Sequence, residues 1–243
     1  MKKPLRIGLG ATAWIGVVAF WTGLWMAARN YPSEYDWRYM TISSLLYPER
    51  NPAGYRWAWR GLVLCALGGL CWTAVLAHDS RQDRHRRRVG IWALGLGYLC
   101  MVSCAWLPAW LPRLPRGHDL LALTSFIGLC VGIVALTFRL AEEMLLHRQI
   151  PRNHRLLCAS LLAGVALSPI LLAALTQAYV SYALPDLPWV GLVWRARGAP
   201  VFLSFALWEW TACAVFSVYT LSLCWVTTFY PGTRRLAARP LRC

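Results

Sequence analysis

Residues 156–185 read LLCASLLAGVALSPILLAALTQAYVSYALP, a run without a charged side chain between Arg155 and Asp186. A helix needs about 20 largely apolar residues to cross a hydrocarbon core roughly 30 Å thick. In lipid, backbone N–H and C=O groups must be paired within their own segment, so such a run predicts a transmembrane helix. Five further runs flank it. Ile7–Ala28, Gly61–Ala77, Val89–Pro112 and Leu120–Phe138 are uncharged, and Gly198–Thr233 is interrupted only by Glu209. The expected fold is therefore all-α: one integral membrane bundle over 1–243. Its six spans lie near 7–28, 61–78, 89–111, 119–139, 156–180 and 200–227. An outer loop, 29–60, carries a short interfacial helix.

Composition agrees. Apolar residues make up 58% of the 243 and charged residues 14%, against about 25% charged in ordinary soluble domains. With mean hydropathy at +0.44, this excludes a disordered tail, a collagen-like fibre and a disulfide-stapled mini-protein, and argues against a soluble enzyme. The net charge of +15 raises the question of nucleic acid, which the placement of the charges answers. Sixteen of the 25 basic residues, including Lys2, Lys3, Arg81–Arg88 and Arg234, fall on one side of the six spans, and nine on the other. By the positive-inside rule both termini are cytoplasmic. Arg81–Arg88 is then a short loop that sets topology and attracts anionic lipid, so no nucleic-acid partner is expected.

Lys2, Lys3 and Arg6 resemble the start of a signal peptide, but the apolar stretch exceeds the ~7–15 residues of such a segment. Met26-Ala27-Ala28 is also a poor cleavage site, so an uncleaved first span is expected. The basic residues are almost all arginine, which fits a multi-pass protein of a bacterial inner membrane. Eight of the nine cysteines fall in spans, where they act as small apolar residues.

The outer loop is the least uniform segment. Tyr31, Tyr35, Trp37, Tyr39, Tyr47, Tyr55, Trp57 and Trp59 suit the headgroup level; a plain aromatic belt explains them, as does a ligand site. Met40–Tyr47 suits a short helix over the bundle mouth, edged by Thr41, Ser43 and Ser44. Asn51-Pro52-Ala53-Gly54 reads as a turn that launches the second span.

Glu209 lies inside the last span. If the helix starts near Pro200, it sits roughly 13–14 Å deep, where a charged carboxylate costs at least ~2.5 kcal/mol. It should face the bundle interior, protonated or paired, as a functional group or as an interhelical packing bond. His118 and Asp119 open the fourth span; Asp119 fits a helix N-terminus, and His118 suits a proton carrier or a structural role. Ser43, Ser44, His118, Asp119 and Glu209 thus form the candidate catalytic set. Arg113, Arg116, Arg195 and Arg197, on the same side, are candidate phosphate ligands. His118, Asp119 and Glu209 could nominally hold zinc, but no spacing demands it; no metal or cofactor is expected.

These residues also carry a resemblance. TISSLLYPERNPAG (41–54) resembles the "I-S-D-L-G … N-P" signature of an uncharacterised six-helix family of prokaryotic membrane proteins. That family is distantly similar to the damage-regulated autophagy modulator group. Gly117-His118-Asp119 with Phe126-Ile127-Gly128 is similar to the opening of its fourth helix. Ala206-Leu207-Trp208-Glu209-Trp210 partly matches its G-L-x-E-R motif. The resemblance implies the six-helix fold over most of the chain and brings no established reaction. Ser44 and Trp210 replace the family's acidic residue and arginine, so an ion pair between those positions would lack both partners here.

Two functions are expected. The first is binding or organising a lipid or partner helices in the outer half of the bilayer, with membrane lipids and other membrane proteins as partners. The alternative is a membrane-embedded hydrolase or transferase acting on a lipid headgroup. Glu209 or His118 would then be the base, Ser43 or Ser44 the nucleophile, and the arginines the clamp. A transporter ranks third, since one acidic residue lies in the spans and no inverted repeat is visible.

Overall fold

Each of the six runs forms a long helix in the computed structural model, which describes residues 3–79, 85–110, 115–147, 152–183 and 193–229. In chain order these are α1 (Lys3–Arg29), α3 (Tyr55–Asp79), α4 (His85–Trp110), α5 (Pro115–His147), α6 (Arg152–Ala183) and α8 (Phe205–Phe229). Two short helices, α2 (Ile42–Leu46) and α7 (Val193–Ala196), and a 3-10 turn at Val201–Leu203 lie at the same end of the bundle. No strand occurs among the described residues, and the six long helices are apolar enough to cross a membrane. Their outward faces carry Ile15, Val18, Leu64, Leu99, Leu161 and Leu175 exposed. Such a surface suits hydrocarbon rather than water, and the protein is a multi-pass membrane protein. Arg81, Arg84 and the arginines from Arg234 onward, which helped to set the expected orientation, lie outside the described residues.

All six long helices start away from the expected bounds, four of them four residues earlier and α3 and α8 by more. α3 begins at Tyr55, six positions before Gly61, because Arg56 and Arg60 lie on an exposed face while Ala58 is buried. Long basic side chains at a helix end can reach the headgroup level without ending the helix. α8 begins at Phe205 rather than near Pro200, since Ser204 is extended after the 3-10 turn (φ −76°, ψ 124°). Glu209 therefore sits in the second turn, about 6 Å along the axis from the start of α8.

Packing is closest in two antiparallel hairpins, α1/α3 and α4/α5. Gly16 and Gly23 on α1 lie against the backbone of α3, and Gly61 and Gly68 on α3 against that of α1: a methyl on Gly23 would stand 2.5 Å from the Trp57 carbonyl, and one on Gly61 2.6 Å from that of Ala19. Only glycine lets the backbones approach this closely. The core shared by α3, α4, α5 and α8 holds Trp72, Leu76, Leu94, Ile133 and Cys224. A second cluster at the loop end packs Leu45 of α2 against Leu24, Ala58 and Leu62. Pro169 lies inside α6 and cannot donate to Val165; the Ser168 hydroxyl occupies that carbonyl instead (2.9 Å).

Candidate functional site at the loop end of the bundle

The first loop is folded rather than loose. Tyr47 precedes Pro48, which disfavours helical geometry; it is extended (φ −83°, ψ 120°) and ends α2. The chain then reaches Asn51, which is 0% exposed. The Asn51 side chain donates to the carbonyls of Ala27 (3.1 Å) and Leu45 (3.4 Å) and accepts from the Gly54 N–H (3.0 Å). One amide thus ties the end of α1, the end of α2 and the start of α3. A methyl on Gly54 would lie 2.5 Å from Asn51 Oδ1 and 2.6 Å from the Ala27 carbonyl, so the turn needs glycine.

The start of α2 is held from the far end of the chain. Helix N-termini leave backbone donors unpaired, and Thr41, the N-cap residue, makes no side-chain capping bond. Glu209 Oε2 takes that role, accepting from the Ile42 N–H at 2.9 Å. Beside it, Trp210 Nε1 donates to the Met40 carbonyl (3.0 Å). The Tyr35 hydroxyl reaches the carbonyls of both Met40 (3.0 Å) and Thr41 (2.9 Å), and burial pushes its pKa up. Ser44 Oγ donates to the Thr41 carbonyl (2.6 Å) and Ser43 Oγ to Thr41 Oγ1 (2.9 Å).

An ionic clamp joins this loop to the segment between α6 and α8. Arg38 grips Asp36 through two parallel bonds of 2.8 and 2.9 Å, and Arg195 on α7 lies 3.2 Å from Glu34 and 3.6 Å from Asp36. The Asp36 side chain is 4% exposed, and the Arg38 guanidinium beside it holds its carboxyl below the usual range. Gly198, at φ +67°, closes α7: the N–H of Gly198 bonds the Arg195 carbonyl and that of Ala199 the Trp194 carbonyl. Trp194 is buried beside Tyr39, whose hydroxyl donates to the Ala199 carbonyl (3.1 Å).

Of the expected catalytic set, the side chains of Glu209, Ser43 and Ser44 lie among the described residues. The Ile42 N–H is Glu209's hydrogen-bond partner there, and Ser43 and Ser44 direct their hydroxyls to Thr41. His118 and Asp119 stand in the first turns of α5, and Arg116 in its first turn; their side chains, and all of Arg113, lie outside the described residues. Arg195 is engaged by Glu34 and Asp36, while Arg197 is exposed. No group of three His, Cys, Asp or Glu among the described residues could hold a metal. A cavity of about 60 Å3 lies deeper, lined by Phe20, Tyr98, Phe126, Cys213, Phe216 and Thr220 among others. That is room for a few waters.

Four arginines at this end sit over aromatic rings. Arg29 lies 4.7 Å from the Trp25 centroid, Arg50 5.5 Å from Tyr47, Arg56 5.8 Å from Tyr55 and Arg60 5.7 Å from Trp57. The expected ligand set omitted them, although an aromatic three or four residues before Arg29, Arg50 and Arg60 is visible as a spacing. Asn51, Tyr35 and Trp210 also escaped it as holders of the loop, since their partners are mostly backbone carbonyls.

The fold and this end of the bundle define a helical multi-pass membrane protein with an ordered cap. Compared with known proteins, the chain matches no family model, no curated protein and no solved structure.

Proposed function

We propose that this protein binds and organises lipid at the loop end of its bundle, in the outer half of the cell membrane. The observation that carries the reading is the 2.9 Å bond from the Ile42 N–H to Glu209. The carboxylate that a headgroup hydrolase would use as its base builds the cap instead. The hydroxyls of Ser43 and Ser44 are directed within the same cap. What the cap presents outward is aromatic rings and guanidinium groups, the chemistry of the headgroup region. The excess of arginine on the opposite side of the spans supports placing this end outside.

The test is lipid retention. The full chain is purified in a mild detergent and its co-purifying phospholipid is counted by mass spectrometry. Retained lipid that falls with Glu209→Ala and persists with Glu209→Gln supports the reading. It is overturned if no lipid is retained, or if reconstituted protein turns over phospholipid headgroups and Glu209→Gln abolishes that turnover.

A further inference from the structure

The arginines at the loop end divide into two kinds. Arg38 and Arg195 are matched by Asp36 and Glu34. Arg29, Arg50, Arg56 and Arg60 make no ion pair among the described residues; each holds its charge over a ring. A cation over an aromatic face is attracted by the ring quadrupole, and the contact consumes none of the guanidinium N–H donors. Arg56 Nε does donate to the Tyr55 hydroxyl (3.3 Å), which leaves its terminal nitrogens. The rings therefore fix where these charges sit while leaving their forked donors available.

Position adds to this. Arg29 ends α1, and Arg56 and Arg60 are one turn apart at the start of α3. Asn51 joins the two helix ends through the Ala27 carbonyl, so all three arginines stand at the loop end of the α1/α3 hairpin, Arg60 deepest and Arg29 outermost. Trp25 is 55% exposed and Trp57 42%, as rings embedded at a membrane interface would be. Deeper on the same two helices, Val18, Leu64 and Leu67 are exposed apolar side chains. A molecule bound by this face must meet apolar surface along its length and guanidinium groups at its end. That is the shape of a phospholipid, and the charge calls for an anionic one.

We propose that the loop end of the α1/α3 hairpin, carrying Arg29, Arg56 and Arg60, is a binding surface for anionic phospholipids, whose phosphodiesters accept from these guanidinium groups while their chains lie along α1 and α3. This rests on the lipid-binding reading above and adds a headgroup class and a place. Arg–phosphate pairing is charge-assisted and forked, and each arginine near a membrane surface contributes about five-fold in affinity for anionic lipid.

Native mass spectrometry of the full chain in neutral detergent, titrated with phosphatidylglycerol or phosphatidylcholine, tests the proposal. The expected result is tighter binding of phosphatidylglycerol, weakened about tenfold or more by the triple substitution Arg29→Gln, Arg56→Gln, Arg60→Gln. Phosphatidylcholine, whose choline offsets the charge of its phosphodiester, should lose less, and the thermal midpoint in detergent should stay the same, because the three side chains are exposed. Equal binding of both lipids by the wild type, or an undiminished preference in the variant, overturns the proposal and leaves lipid binding standing. Complete displacement by millimolar inorganic phosphate also overturns it, since a soluble anion would then be the ligand. Absence of any bound lipid removes both this proposal and the reading on which it rests.

Discussion

Glu209 and Ile42, 167 positions apart in the chain, meet through one bond of 2.9 Å between a side-chain oxygen of α8 and the first backbone donor of α2. A short helix that lacks a capping side chain of its own thus takes its cap from the last span. Glu209→Gln keeps a carbonyl oxygen for the Ile42 N–H and should cost less than about 1 kcal/mol. Glu209→Ala leaves that donor unpaired and should cost about 1–3 kcal/mol. Thermal unfolding in detergent, followed by tryptophan fluorescence, separates the two; equal losses would sink the capping role.

Asn51 distinguishes a tie from a turn. A residue needed only for the turn would tolerate aspartate, which favours such positions. Here Asn51→Asp would set a carboxylate against the carbonyl oxygens of Ala27 and Leu45. It should therefore destabilise at least as much as Asn51→Ala, by about 1–3 kcal/mol for each group left without a partner. Hydrogen exchange at residues 42–55 would report the release, and an Asn51→Asp variant as protected as wild type would refute the tie.

Asp36 gives the loop clamp an acid limb. Its carboxyl is held below the ordinary value of 3.8 in the folded protein, first by the hydrogen bond from Arg38. A depressed pKa means that the charged form is the stabilising one. The contribution is complete above the unfolded value and lost as pH falls through the lower, folded one. Thermal midpoints should accordingly drop on the acid side of pH 4, and Asp36→Asn should start lower at neutral pH and lose less on acidification. Parallel curves for the two proteins would contradict this.

The hairpin glycines should not be interchangeable with those on open faces. A methyl on Gly68 would overlap the Thr12 carbonyl, whereas one on Gly164 of α6 meets nothing within 4 Å. Gly68→Ala should destabilise by about 1–3 kcal/mol through overpacking, and Gly164→Ala should be neutral or slightly stabilising. If both variants melt together with wild type, the α1/α3 backbones do not pack at this distance.

The six spans were legible because lipid imposes a one-dimensional rule: length without charge. Helix ends were less so. Arg56 and Arg60 looked like loop because charge was read as a boundary, and Pro200 looked like a start because the extended Ser204 has no mark of its own. Glu209 was identifiable as the unusual carboxylate, yet its partner is a main-chain N–H, which every residue but proline carries. The clamp between Asp36 and Arg195 joins two loops whose adjacency is a matter of tertiary structure. The seven-residue spacings Gly16/Gly23 and Gly61/Gly68 stand openly in the sequence; read as helix faces rather than as composition, they would have paired α1 with α3.

The span between Ile42 and Glu209 has a consequence for biosynthesis. The Asn51 tie can close as soon as α3 has been made, but Ile42 has no partner on α8 until the last helix enters the membrane. At roughly 5–20 residues per second of synthesis, that wait is on the order of 10–30 s. During it, the N–H of Ile42 lacks the Glu209 carboxylate, and the Met40 carbonyl lacks the Trp210 indole. A chain stopped short of α8 stays in that condition permanently. Closure of the cap therefore depends on the sixth helix being in place: a local contact near the start of the chain is completed only by its last span.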